Sequence, residues 1–162
     1  MSTSATTKLT LVSEDRVNVL VDKDAISNRS SLISDLLADL GEAAAEYPIP
    51  ISKVKGDVLK KVVEWCEHHK DDTSEPRNLA GKKVSAWDQE FFNNEDDVTF
   101  DIVLAANFLD IKGLLHLGVK MVANQFHGLN AQQIREKYGL EDDLTPEEKD
   151  RISRENAWAD DL

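Results

Sequence analysis

Polar and apolar residues alternate near the beginning of the chain and then follow helical spacing along most of its length. Alternation over residues 8–12 and 16–21, joined by residues 13–15, predicts an N-terminal β-hairpin. Prolines at 48 and 50 predict a short extended segment at 49–51. Apolar residues three and four apart predict helices near 32–40, 58–70, 86–93, 98–109, 112–127, 131–138 and 146–159. Early strands followed by a helical majority predict an α+β fold with one small sheet.

The predicted helix at 98–109 is apolar on two sides, which is unusual for a helix on the surface of a domain. The two stripes are Val98, Ile102, Ala105 and Leu109, and Phe100, Leu104 and Phe108. Such a helix lies in the centre of the domain, or one of its faces takes a partner. The periodicity alone leaves both interpretations open.

The last 22 residues form an acidic segment with few apolar side chains. Residues 141–162 carry 9 acidic and 3 basic side chains, yet Trp158 lies almost at the end. Tryptophan is enriched among residues that dominate binding interfaces, so Trp158 is a candidate anchor for a partner. The alternative is that Trp158 packs on its own domain, and the sequence favours neither.

Length, composition and charge narrow the class of protein. The chain has 162 residues, 41% hydrophobic and 31% charged, which is typical of one globular domain or a domain with a small appendage. Its net charge of -12 argues against binding nucleic acid or anionic membrane electrostatically. The single cysteine, Cys66, excludes an intrachain disulfide, and the polar N-terminus leads us to expect no signal peptide.

No constellation of residues points to catalysis or to a bound cofactor. The glycines form neither a phosphate-binding loop nor a dinucleotide fingerprint. Cys66, His68 and His69 lie together, but no second cysteine completes a zinc site. We therefore expect Cys66 to pack in the core and the histidines to lie near a helix end. Neither a catalytic residue, a metal site nor a cofactor is predicted.

Five segments together resemble one known family. They are LKKVVEWCEHHKDD at 59–72, WDQEF at 87–91, LAANFLDIKGLL at 104–115, LTPEE at 144–148 and RENAW at 154–158. Their sequences and order are similar to those of the S-phase-kinase-associated (Skp) adaptor proteins, and the resemblance covers about residues 8–162.

The resemblance implies a BTB/POZ-like domain at 8–127. Within it, Pro76, Gly81 and mostly polar side chains predict a solvated connector at 71–84, and we expect flexible loops near 41–48 and 71–84. A C-terminal helical extension at 128–162 would bind F-box proteins. The implied function is that of a non-catalytic adaptor, which links F-box substrate receptors to a cullin in an SCF-type ubiquitin ligase for protein degradation. A RING protein and an E2 enzyme would be indirect partners. The implied location is the cytoplasm and nucleus, without nucleic-acid or membrane partners.

Individual residues of this chain match the partner contacts of the family. Asn107 and Phe108 match the cullin contact, where the family often has tyrosine at the second position. Phe108 lacks the hydroxyl that could form one hydrogen bond but keeps the apolar ring, so we expect the site to survive. The segment 131–133 replaces a Pro-Glu-Glu helix opening, which predicts a less firmly fixed helix start. The matched F-box contacts are Val103, Leu115, Val122, Ile134, Tyr138, Leu144 and Trp158.

Two alternatives to the ligase adaptor remain open at this point. A BTB/POZ domain can act mainly by self-association, and members of the adaptor family also join complexes that are not ligases. Apolar surface on the last helices would in addition produce a weak homodimer when F-box protein is absent.

Overall fold

The computed structural model describes residues 7–72, 83–93 and 96–161. The chain divides into two compact units, residues 1–125 and 126–162, and each has its own internal contacts. The predicted connector at 71–84 falls mostly outside the described residues.

A three-stranded sheet opens the first unit and confirms the predicted hairpin. Strand β1 (Lys8–Val12) lies in the centre, antiparallel to β2 (Asn18–Asp22) and parallel to β3 (Ile49–Pro50). The second strand begins two residues later than predicted because the turn is longer. The Ser13 hydroxyl accepts a hydrogen bond from the Val17 N–H at 2.9 Å, which closes that turn.

Two helices follow the hairpin. Helix α1 (Lys23–Ser27) was not predicted, because five residues are too few to show a helical period. Helix α2 (Ser31–Leu40) was predicted, and it ends at Gly41, whose φ of 61° favours glycine. A 3-10 helix (Gly41–Ala45) occupies the start of the segment that the resemblance assigned to a loop.

The remaining helices of this unit are α3 (Gly56–His68), α4 (Ala86–Phe91), α5 (Asp96–Phe108) and α6 (Lys112–Phe126). In α5, Ile102 is fully buried in the core, and Ala105 is nearly so. The second stripe behaves differently, since 66% of the Leu104 surface is exposed while Phe108 is half-buried. One face of α5 therefore packs in the core and the other reaches the surface.

The second unit contains α7 (Ala131–Tyr138), α8 (Pro146–Glu155) and a 3-10 helix (Ala157–Asp161). The expectation of a weakly fixed α7 start is wrong, because Asn130 and Gln133 form a capping box. The Asn130 side chain accepts from the Gln133 N–H at 2.9 Å, and the Gln133 side chain accepts from the Asn130 N–H at 3.0 Å. Within α7 and α8, no described residue is buried.

The predicted α+β class is confirmed, with a small N-terminal sheet and a helical majority. The reason lies in the change of hydrophobic period from two to about 3.6 after residue 22. Among the described residues, no helix is long and apolar enough to cross a membrane.

Candidate partner-binding surfaces

The residues matched to the cullin contact lie at the C-terminal end of α5. Asn107 is exposed, so its amide is available to a partner. Phe108 is half-buried and packs partly against the core, so part of its surface remains accessible. The helix ends directly after this pair, since Asp110 adopts a φ of 51°. Asn107 and Phe108 thus lie in the last turn of α5, the first exposed and the second half-buried.

Leu104 adds an apolar side chain to the same helix face, one turn before Phe108. It lines a surface groove of about 110 Å³, together with Val54, Val58 and Ala105. Charged side chains of both signs surround this groove, namely Glu14, Lys53, Lys55 and Asp101. The sequence pattern places Leu104 on the apolar stripe with Phe108 but predicts no partner contact for it. Its four-residue spacing from Phe108 is the signal that connects the two residues.

Three of the residues matched to F-box contact lie in the first unit. Val103, Leu115 and Val122 are half-buried. A Cβ added to Gly118 would lie 2.6 Å from Val103 Cγ2, so Val103 packs tightly against α6. Leu115 packs against the hydrophobic core. These side chains therefore divide their surface between the fold and the solvent.

The other four residues matched to F-box contact lie in the second unit. Ile134, Tyr138 and Leu144 are half-buried, and the Tyr138 ring lies 5.3 Å from that of Phe126. Trp158 exposes 66% of its surface. Trp158 is thus mostly exposed to solvent, which favours the interpretation as an anchor for a partner over packing on its own domain. Such an exposed aromatic is typical of a binding site.

Two further apolar residues are exposed in this unit and were not assigned by the sequence analysis. Leu140 exposes 58% of its surface and Ile152 exposes 40%. Both lie outside the segments on which the resemblance was recognised. Their only signal in the sequence was an apolar side chain in a strongly polar segment.

The cysteine and histidines at the end of α3 have structural surroundings. Cys66 is fully buried, and burial raises the pKa of its thiol to about 12, so the group stays protonated. The His69 imidazole lies between two carboxylates, with Nδ1 2.5 Å from Asp72 and Nε2 3.0 Å from Asp88. No group of three metal-ligating side chains occurs among the described residues.

Asp88 is the centre of this network, although the sequence analysis did not single it out. Its carboxylate accepts from the Trp65 indole N–H at 3.1 Å and from the Ser85 hydroxyl at 2.7 Å. Burial alone would raise the pKa of Asp88, but the hydrogen bonds from His69 and Ser85 outweigh it and hold the pKa below its ordinary value. The network joins the end of α3 to α4 and serves the fold.

These observations define an interaction protein: an α+β domain and a helical unit, each with exposed apolar side chains at its surface. The chain belongs to the Skp1 family. A family profile described as "Skp1 family, tetramerisation domain" matches residues 7–71, and one described as "Skp1 family, dimerisation domain" matches residues 112–159. The first match is to the family's POZ domain, which confirms the BTB/POZ-like fold implied by the resemblance.

Curated relatives from several fungi are similar over almost their whole length. A Talaromyces stipitatus protein named "E3 ubiquitin ligase complex SCF subunit sconC" is 45% identical, covering 95% of this chain and 98% of the relative. Proteins of the same name from Aspergillus flavus and Arthroderma benhamiae are 46% and 44% identical, and each alignment covers 99% of the relative.

Proposed function

We propose that this chain is the non-catalytic adaptor of an SCF-type ubiquitin ligase, joining F-box substrate receptors to a cullin. The observation that carries the proposal is the presence of separate exposed apolar sites in a member of the Skp1 family. The exposed apolar residue of the first unit that matters here is Leu104 on α5, and those of the second unit are Leu140, Ile152 and Trp158. An adaptor needs two sites of this kind, because both partners must bind at once.

The cullin site comprises Asn107, Phe108 and Leu104. Leu104 and the accessible part of Phe108 offer apolar area, and Asn107 offers an amide donor and acceptor for orientation. The charges around the Leu104 groove, of both signs, would select a partner with the complementary pattern. Phe108 lacks the hydroxyl with which a tyrosine could form one hydrogen bond, but it keeps the apolar ring, so we expect the cullin site to survive.

Each unit contributes its own F-box contacts in this proposal. Those of the first unit are Val103, Leu115 and Val122, and those of the second are Ile134, Tyr138, Leu144 and Trp158, with Leu140 and Ile152 as additional apolar contacts. Trp158 is the principal anchor for the F-box, because a large exposed aromatic loses the most solvent contact on binding. The chain itself performs no bond chemistry in this proposal. Ubiquitin transfer depends on a RING protein and an E2 enzyme that the cullin recruits, and the complex acts in the cytoplasm and nucleus.

Affinity purification with mass spectrometry tests the proposal. The tagged chain should recover several F-box proteins and one cullin, and recovery of neither would contradict the proposal. The Asn107→Lys/Phe108→Lys variant should lose the cullin and keep the F-box proteins. A lysine placed in an apolar contact loses its hydration and gains no charged partner. This should reduce the free energy of cullin binding by several kcal/mol.

A control is required because Phe108 also packs against the core. Circular dichroism must show that the double variant is folded. Leu104→Ser provides an independent variant, since its side chain is two-thirds exposed and contributes little to the core. A folded double variant that still recovers normal amounts of cullin would show that the cullin site lies elsewhere.

A further inference from the structure

One carboxylate in the second unit is bound to both of its helices. Asp142 lies in the connection between α7 and α8, 3.8 Å from the Arg135 guanidinium of α7. On its other side it accepts a hydrogen bond from the Lys149 ammonium of α8. The backbone N–H of Leu144 also donates to this carboxylate.

These polar contacts matter because apolar packing does little to fix this unit. No described residue of α7 or α8 is buried, so neither helix is held by a core of its own. The connection 139–145 has no regular structure. The side chain of Asp142, which belongs to this connection, forms ion pairs with both α7 and α8.

A surface cavity of about 260 Å³ opens beside Asp142. Its wall includes Leu140, an exposed apolar residue, and its other lining residues are Gln132, Arg135, Glu136 and Gly139. Leu144, whose backbone Asp142 holds, is one of the residues matched to F-box contact. The position of Asp142 thus determines how the apolar residues of the connection are presented.

We propose that Asp142 is a positioning residue for F-box binding, which holds α7 and α8 at the spacing the F-box requires through its ion pairs with Arg135 and Lys149. The inference rests on the proposed function and adds the residue that organises its binding site in advance. A surface organised in this way loses less conformational entropy on binding and therefore binds more tightly.

Asp142 is ionised under the conditions in which this mechanism would operate. The hydrogen bond from Lys149 lowers the pKa of its carboxyl, burial acts in the opposite direction, and the Arg135 charge and the Leu144 N–H add to the lowering, so the net pKa lies below its ordinary value. The carboxylate is therefore charged at neutral pH and can pair with both cations.

Titration calorimetry with a recombinant F-box domain tests the inference by measuring the affinity of each variant. The titrations are made at about 50 mM and at about 500 mM salt, because salt screens exposed ion pairs. Asp142→Asn keeps the size of the side chain and an acceptor for Leu144 but removes the charge. We expect it to weaken binding about two- to fivefold at low salt, relative to the unaltered chain, and by less at high salt. Lys149→Gln should have a similar effect, and combining the two should add little.

Asp143→Asn is the matched control, because it removes the same charge one residue away. Asp143 has no ion pair within the described part of the chain. The inference is overturned if Asp142→Asn binds like Asp143→Asn at both salt concentrations, or if the two substitutions at 142 and 149 are additive. Failure of the unaltered chain to bind the F-box domain would instead refute the proposed function, and the inference with it.

Discussion

At the scale of single residues, the groups around His69 in the first unit raise the pKa of its imidazole. Hydrogen bonding to Asp88 raises the pKa of His69 above its ordinary value of 6.5, burial acts in the opposite direction, and Asp72 adds a further increase. Both ring nitrogens lie against carboxylates, so the imidazolium is the form that satisfies them. The protonated ring joins the end of α3 to α4.

This arrangement predicts a loss of stability with rising pH. Because the pKa of His69 is raised in the folded state, its contribution is fully present below about 6.5 and is lost as pH rises through the folded value. His69→Gln should therefore reduce the free energy of unfolding at pH 6 by about 1 kcal/mol. This corresponds to a melting temperature lower by roughly 2–4 °C. Thermal unfolding should show this difference shrinking towards pH 9.

His116→Gln is a suitable control for the titration, since His116 is exposed. It should change the melting temperature by little, because substitutions of exposed side chains seldom affect stability. A constant difference between the unaltered chain and His69→Gln across this pH range would mean that the charge on His69 contributes nothing to stability. The test must be made at pH values above the pKa of Asp88, which is lowered, so that the Asp88 carboxylate stays charged throughout.

Trp158 is expected to contribute to binding and not to stability. Trp158→Ala should weaken F-box binding by about 2–4 kcal/mol, a loss of roughly thirtyfold to several hundredfold in affinity. The melting temperature should hardly change, because the side chain is two-thirds exposed in the chain alone. Calorimetric titration and thermal unfolding measure the two quantities on the same samples.

Tyr47→Ala serves as the matched control for Trp158→Ala. Tyr47 exposes 68% of its surface, lies in the first unit and is not among the residues proposed to bind either partner. Its substitution should leave F-box affinity unchanged. If Trp158→Ala lowered the melting temperature and kept the affinity, Trp158 would belong to the fold.

At the scale of elements, the contact between α5 and α6 depends on the absence of a side chain at Gly118. Alanine there would gain about 1 kcal/mol of helix propensity, but its Cβ would lie 2.6 Å from Val103 Cγ2. Valine has little rotamer freedom in a helix and cannot withdraw. We expect Gly118→Ala to reduce the free energy of unfolding by a net of about 1–2 kcal/mol, as measured by urea unfolding.

The same contact predicts a rescue. In a Val103→Ala background the obstructing methyl group is absent, so Gly118→Ala should become neutral or stabilising by up to about 1 kcal/mol. Equal destabilisation in both backgrounds would show that Val103 is not the limiting contact. Val103 thus has a packing role besides its proposed F-box contact.

At the scale of the whole molecule, two properties oppose each other. Exposed apolar side chains such as Leu140 and Trp158 favour association, whereas the net charge of -12 opposes it. We expect a weak homodimer in the absence of F-box protein, strengthened by salt because screening reduces the repulsion. Sedimentation velocity over a concentration series should detect it.

Adding a recombinant F-box domain should convert this homodimer into a one-to-one heterodimer, since both would use the same apolar surface. Trp158→Ala should weaken the homodimer as well. A chain that stays monomeric at high concentration and high salt would contradict the expectation. A homodimer that persists beside bound F-box domain would place self-association on another surface and favour the BTB/POZ-type alternative.

The sequence by itself determined the features that depend on neighbouring residues. The alternation in β1, the spacing in α3 and α5 and the end of α2 at residue 40 are all local, and all appear in the structure. The matched motifs also identified the family. These predictions succeed because periodicity acts within one or two turns of chain.

Only the tertiary structure decided which groups come together from distant positions. It placed Asp88 against His69, set Val103 against Gly118, and left Leu104 exposed while the other stripe of α5 entered the core. It also showed that Asp142 reaches both α7 and α8. Such contacts depend on how whole elements pack against each other, and that packing has no counterpart in the spacing of residues along the chain.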